Sequence, residues 1–336
     1  MSIVKKFSAS ILVLGIAIFV AGSCSRKPRV WIYASIYKEV IAEMKPLLEK
    51  ALPPGVEVMW FQGGSETIAS KVNAELAAGR TRADIILTSD PFWYYELKMA
   101  GMLLPYECAA ASEVPGYFMD PDRHFAGVRL PVMVIAYNPK ALDEKDAPRS
   151  WKDIIGPPHK GKVSMPNPLE SGSAFTAVAM LERMFGWDYF RELRAQDLLV
   201  AGGNSSVITR METGERPVGI VLLENVLKAR RKGSPVIPVY PLDGTIPVIS
   251  PIAIMKDSRR PELARKIYDW FFTDEAQRAI TAGYMYSPLK RMPAPPGGRE
   301  FAQLEPGLMP WSLEIQKEIY SRRQELKNTF TDILLR

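Results

Sequence analysis

A chain of 336 residues has room for two domains of ordinary size, and 47% hydrophobic with 24% charged residues is the balance of a soluble globular protein, which excludes disorder. The formal net charge of +6 is a mild basic bias, part of it from Lys5 and Lys6 in a leader. It suits anionic solutes or membrane surfaces, and with no Lys/Arg run interleaved with aromatics it excludes a nucleic-acid groove.

The first 24 residues have the layout of an export signal: Lys5-Lys6, an apolar stretch from Ile11 to Val20, then Ala21-Gly22-Ser23 before Cys24. The apolar run is too short for a fixed membrane anchor. Ala21-Gly22-Ser23-Cys24 resembles the lipobox of bacterial lipoproteins, which implies acylation of Cys24, an exported location and attachment to the membrane by lipid. A plain secretory signal cleaved nearby is the simpler alternative. The other cysteine, Cys108, reads as a small buried apolar residue.

The chain then reads as α/β. Val30 to Ser35 is a strand, and Ile36 to Ala51 has helical spacing through Val40, Met44, Leu47 and Leu48. Val56 to Phe61 turns over Gly63-Gly64 into a helix with Ile68, Val72 and Leu76 on one face. Ser65 is the expected cap of that helix, and Thr67 lies in its first turn. Two glycines let the backbone bend and come close to a bound molecule, and the first N–H groups of a helix favour an anion. A tight strand-to-helix turn with no ligand is the plain reading of that stretch alone. The next strand ends at Thr88-Ser89-Asp90, with Asp90-Pro91 capping a helix that opens on Phe92-Trp93-Tyr94-Tyr95, an aromatic run expected in the core. Gly127 to Pro139 reads as one long strand able to cross between domains.

The glycine-and-hydroxyl helix opening recurs twice. Ser171-Gly172-Ser173 precedes a helix expected to end at Gly186, and Gly202-Gly203-Asn204-Ser205-Ser206 precedes one from Val207 to Thr213. Asn204-Ser205-Ser206 also matches a glycosylation acceptor, discounted behind a bacterial-type leader. Val218 to Leu223 is a buried strand with Glu224-Asn225 at its carboxyl end. Val236 to Pro251 looks like a return crossing, and a strand, two helices and an amphipathic helix from Ser312 follow. In open α/β sheets ligands bind outside the carboxyl ends of strands, so Ser35, Gly64, Ser65, Ser89, Ser171, Gly172, Ser173, Asn204, Ser205, Ser206 and Glu224 are expected to share a crevice.

Two rival motifs fail. Gly156 to Val163 nearly spells a phosphate-binding P-loop, but Val163 stands where Ser or Thr must reach the metal, and Pro157 and Pro158 lack N–H groups; a surface loop is expected. A serine hydrolase needs a base, and the histidines are His124 and His159, neither in a Gly-x-Ser-x-Gly context. Catalytic residues, resident metal and cofactor are therefore all expected to be none.

The order of Ala83 to Leu87, Ala100 to Leu103, Val134 to Pro139, Ser150 to Ile154, Lys160 to Val163 and Thr273 to Gln277 resembles the type II periplasmic solute-binding proteins, in the branch of ferric-iron, thiamine, 2-aminoethylphosphonate and sugar-phosphate binders. The resemblance covers nearly all of residues 30–336. It implies a two-domain clam with hinge strands that hands a small solute to the permease of an ABC importer. Domain one is expected over 30–129 with 250–336, and domain two over 130–249. Ferric binders of this branch carry a tyrosine pair just after the strand that here ends at Leu223. Glu224-Asn225 stands there instead, which points away from iron, since a hard trivalent cation needs phenolates. A phosphorylated or phosphonate organic anion is the expected solute. Glu66 is the objection, as a carboxylate in the first turn already answers that helix dipole; a cationic or neutral solute, or ferric iron, is the alternative.

Overall fold

The computed structural model describes residues 27–336; Cys24 and the leader lie outside the described residues. In chain order the elements of the first sheet and its helices are β1 (Arg29–Ala34), α1 (Lys38–Ala51), β2 (Glu57–Gln62), α2 (Ser65–Ala77), β3 (Ile85–Leu87), α3 (Pro91–Met99), β4 (Leu103–Leu104) and β5 (Ala126–Arg129). The second sheet follows with β6 (Val132–Tyr137), β7 (Val163–Met165), α4 (Gly172–Ala195), β8 (Leu199–Val200), α5 (Asn204–Thr213), β9 (Val218–Leu222), α6 (Leu223–Arg231), β10 (Ile237–Val239) and β11 (Ile246–Pro247). The chain then returns with β12 (Ser250–Met255), α7 (Pro261–Trp270), α8 (Asp274–Ala282), α9 (Phe301–Leu304), α10 (Leu313–Ser321) and α11 (Arg323–Leu334).

The first sheet runs β2-β1-β3-β12-β4, with β5 also on β12; β1, β2 and β3 are parallel and β12 is antiparallel to its neighbours. Its inner strands β3 and β12 are buried at every position and almost wholly apolar, because both faces are covered. Ile32, Ala34, Ile85, Leu87, Ile252 and Ile254 face one core with α1, α7 and α8, while Tyr33, Ile86, Ala253 and Met255 face the other with Ile68 of α2 and Trp93 of α3. The second sheet runs β10-β6-β9-β7-β8, with β11 on β6. Met133, Ile135, Val218, Ile220 and Met165 pack under α4, and Ala136 and Val221 under α5 and α6.

The chain changes sheet twice. The run expected as one strand from Gly127 to Pro139 is broken at Leu130-Pro131, where it passes from β5 to β6, and Val248-Ile249 carries it back from β11 to β12. The two passes lie side by side, with the Val248 N–H donating to the Pro131 carbonyl at 2.9 Å.

Several expectations are corrected. Gly186 does break the helix opened by Ser171, as expected, with a non-helical φ of 72° that suits glycine, but a second helical segment, counted with the first as α4, runs on to Ala195. The strand ending at Leu222 runs straight into α6, so Glu224 sits in a helical first turn. Pro157 to His159 is a 3-10 turn with His159 buried, so that stretch is not a wholly surface loop. The amphipathic segment from Ser312 is two helices with a break at Arg322. Although its residues were expected with the first domain, Leu326, Phe330 and Leu334 of the second helix bury their apolar face in the core of the second sheet, while the first helix lies along α3.

Candidate functional site

The strand ends of both sheets aim at one another. Four of the connections leaving them are helix openings: β2 leads through Gly63-Gly64 into α2, β7 through Asn167 to Ser171 into α4, β8 through Gly202-Gly203 into α5, and β9 directly into α6. A cleft of about 270 Å3 lies between them. From the first sheet's side Ser35, Gly64, Ser65 and Ser89 line it; from the second, Ser171, Ser173, Asn204, Ser205, Ser206 and Glu224. Thr67 and Gly172 do not line it. Thr67 lies beside Gly63, where a Cβ would meet its side chain at 3.4 Å. At Gly172 a Cβ would stand 2.7 Å from both Asp90 Cβ and the Ser89 carbonyl oxygen. Glycine there is what lets the α4 opening meet the first half. A larger groove of about 470 Å3, between Met180, Leu242 and Met309, contains none of these openings.

The hydroxyls are held in three different ways. Ser171 Oγ accepts from the Ala174 N–H at 3.3 Å as the cap of α4, and lies 3.0 Å from Ser173 Oγ. Ser65 is not the cap expected of it: Gly64 occupies the cap position, and Ser65 Oγ instead accepts from the buried Ser89 N–H at 3.1 Å, tying α2 to the end of β3. Asn204 donates to Ser173 Oγ at 3.1 Å and accepts from the Leu222 N–H at 3.0 Å, so its amide ties α4, α5 and β9 together. In each opening the first backbone N–H groups have no partner within their own helix.

Two acidic residues near the openings are answered by α11. Glu66 lies 3.2 Å from Arg323 and 2.9 Å from Lys327, and Asp90 caps α3 with one oxygen while the other meets Arg323 at 2.6 Å. The carboxylate that stood against an anion in α2 therefore has its own counter-ions. Glu224 is different. It is buried, its Oε1 is 3.8 Å from Arg129 Nη1, and its Oε2 has no hydrogen-bond partner among the described residues. Burial raises its carboxyl to about 7, against the opposing pull of Arg129. Tyr37, also on the cleft wall, donates its hydroxyl across to Asn225 Oδ1 at 2.7 Å, and burial, then the Glu224 charge, push its phenol up.

Arg129 and Tyr37 were missed in the sequence. Arg129 was hidden inside a strand otherwise apolar from Gly127 to Tyr137, and a lone charge in such a run was the available signal. Neither histidine is on the cleft wall. His124 pairs with Asp120 at 3.2 Å, and Asp120 and Asp122 are both held by Lys98 at 2.5 and 2.6 Å. His159 is buried, which lowers its pKa.

Residues 81–300 match the family model described as bacterial extracellular solute-binding protein. A "probable ABC transporter periplasmic-binding protein" of Sinorhizobium fredii is 23% identical, over 72% of this chain and 70% of that one. Iron-bound HitA from Pseudomonas aeruginosa is similar in structure with a TM-score of 0.80 at 23% identity, covering 90% of this chain and 99% of that one. The periplasmic binding protein AfuA from Actinobacillus pleuropneumoniae, with exogenous fructose-6-phosphate bound, has a TM-score of 0.79 at 22% identity, covering 92% and 99%. These two structures share the fold, two α/β domains joined by strand crossings. The chain belongs to the bacterial extracellular solute-binding proteins, and is a type II binding protein of an ABC importer rather than an enzyme.

Proposed function

We propose that this binding protein carries a small organic solute with a phosphate or phosphonate at one end and hydroxyl or amino groups at the other. The observation that supports it best is the meeting of α2 from the first half with α4 and α5 from the second on one serine-lined cleft. Such openings recognise phosphoryl oxygens through backbone N–H groups and the helix dipole. Arg323 and Lys327 neutralise Glu66, which removes the repulsion expected from it. Glu224 accepts from hydroxyl or ammonium donors at the far end. Ferric iron fits less well: Tyr37 is the phenol on the cleft wall, its proton is held by burial and engaged with Asn225, and the site of the tyrosine pair holds Glu224-Asn225.

The division into residues 30–129 with 250–336 and residues 130–249 is proposed as the pair of lobes, hinged at Leu130-Pro131 and Val248-Ile249, with solute drawing them together. The C-terminal helices then bridge the lobes. The test is thermal unfolding and calorimetry with fructose 6-phosphate, 2-aminoethylphosphonate, inorganic phosphate, spermidine and ferric citrate. A solute at 100 times its Kd adds about 2.7 kcal/mol of stability, and stabilisation by spermidine or ferric citrate alone would refute the reading.

The mature protein is further proposed to be held at the outer face of the cytoplasmic membrane through acylated Cys24. Several acyl chains on one residue anchor firmly where a single chain does not. Detergent-free fractionation should move a Cys24→Ala variant from the membrane to the soluble fraction; retention like the parent's would end the idea.

A further inference from the structure

Behind the cleft wall Arg129 closes β5 with 1% of its surface exposed. Its Nη2 donates to Ser89 Oγ at 2.9 Å, to Ser35 Oγ at 3.2 Å and to the Ser35 carbonyl at 3.5 Å. Ser250, at the start of β12, donates to Ser89 Oγ at 3.1 Å. A hydroxyl has one proton and two lone pairs. Both acceptor positions of Ser89 are therefore taken, by Arg129 and by Ser250.

Ser35 Oγ and Ser89 Oγ are 3.5 Å apart. Ser35 has nowhere to donate on Ser89, so any hydrogen bond between them runs from Ser89 to Ser35. However the Ser89 proton turns, the Ser35 proton has no acceptor among the described side chains behind it. It is left for the cleft, which both serines line.

We infer that Arg129 is a positioning residue that fixes the polarity of this wall, making Ser35 a donor toward the solute and seating the solute's acidic end against the first half. A guanidinium has donors and no acceptor and does not give up its charge in a folded protein, so it cannot be the accepting partner of either serine. A charged donor at the head of such a chain polarises the hydroxyls that follow. Glu224 is too far, at 3.8 Å, to hydrogen-bond Arg129, and Arg129 Nε has no partner among the described residues, so an anion at Ser35 supplies compensation at one remove. The partnerless Oε2 of Glu224 then takes the solute's donor end, on α6. The inference rests on the anion reading of the cleft and adds the direction in which the solute lies.

The test is calorimetry on the parent, Ser35→Ala, Arg129→Gln, Arg129→Lys and the double variant Ser35→Ala/Arg129→Gln, with fructose 6-phosphate, 2-aminoethylphosphonate and inorganic phosphate. For whichever probe the parent binds, Ser35→Ala, a small change that leaves the core intact, should weaken binding roughly tenfold or more. Arg129→Gln should do the same, and Arg129→Lys should recover part of the loss. Because the arginine acts through Ser35, the double variant should bind no more weakly than Arg129→Gln alone. Parental affinity in Ser35→Ala, or losses that multiply in the double variant, overturns the inference and leaves the anion reading standing. A parent that binds none of the three probes overturns both.

Discussion

Glu224 is a carboxyl buried away from water, with 3% of its surface exposed. Its carboxyl is raised from 4.5 to about 7, first by burial, with Arg129 pulling the other way. The protonated form is thus the one the fold prefers. Its contribution is fully present below the unfolded value, near 4.5, and is lost as pH rises through about 7. Glu224→Gln mimics the neutral form, so relative to the parent it should unfold at a similar temperature at pH 5 and at a higher one at pH 8. Parallel melting curves across that range would show that Arg129 compensates the ionised carboxylate fully. Ser171→Ala tests a smaller effect at the same scale. Loss of the α4 cap should cost about 1 kcal/mol in denaturant unfolding. By contrast, Ser65→Ala removes a partner from the buried Ser89 N–H, and leaving a buried donor unmet costs roughly 1 to 3 kcal/mol.

At the scale of elements, the C-terminal pair is the part the sequence pattern described least well. Ile315, Ile319, Leu326 and Phe330 fit one helix, and the Ser321-Arg322-Arg323 stretch between them holds neither glycine nor proline. The break comes from what each piece packs on: α10 lies along α3 and α11 along α4, in different halves of the molecule. Arg322 takes up the turn, with its guanidinium on Glu182 at 3.0 Å and on Glu325 at 3.1 Å. Phe330 is fully buried against Phe190, with ring centroids 5.6 Å apart. Phe330→Ala should therefore cost about 3 to 5 kcal/mol in chemical denaturation. A loss below 1 kcal/mol would mean that α11 is not part of the second core. Gly186 is the opposite case: its φ of 72° ends the first helical segment of α4 where the sequence placed the stop, and a second segment then runs on to Ala195.

At the scale of the whole molecule, the contacts across the cleft bear on closure. Tyr37 bonds Asn225 and Lys228 pairs with Glu39 at 3.1 Å, joining α6 of the second half to the start of α1 in the first. On the other side Gly172 leaves no room for a Cβ against Ser89 and Asp90. Gly172→Ala should keep the fold, since alanine suits a helical first turn, but hold the halves apart. Small-angle scattering should show the parent's radius of gyration falling when a bound phosphorylated solute is added, and the variant's falling less. Equal contraction in both would mean that closure does not bring α4 against the end of β3.

The sequence by itself determined the α/β class, the helix openings and the family. These rest on local rules: alternation on buried strands, glycine where the chain turns, hydroxyls at helix starts, and the order of short motifs along the chain. It also put Ser35, Ser65, Ser89, Ser171, Ser173, Asn204 and Glu224 at strand ends, where the topology of an open sheet leaves a crevice. Tertiary structure alone decided what each of those groups does there. Whether Ser65 caps its helix or serves Ser89, whether Glu66 repels an anion or is neutralised by residues 257 and 261 positions away, and why Arg129 is tolerated inside an apolar strand all depend on partners distant in the chain. Local pattern fixes which groups a segment offers. The partners and the charge balance come from the folding of two sheets against each other, and no window of sequence contains them.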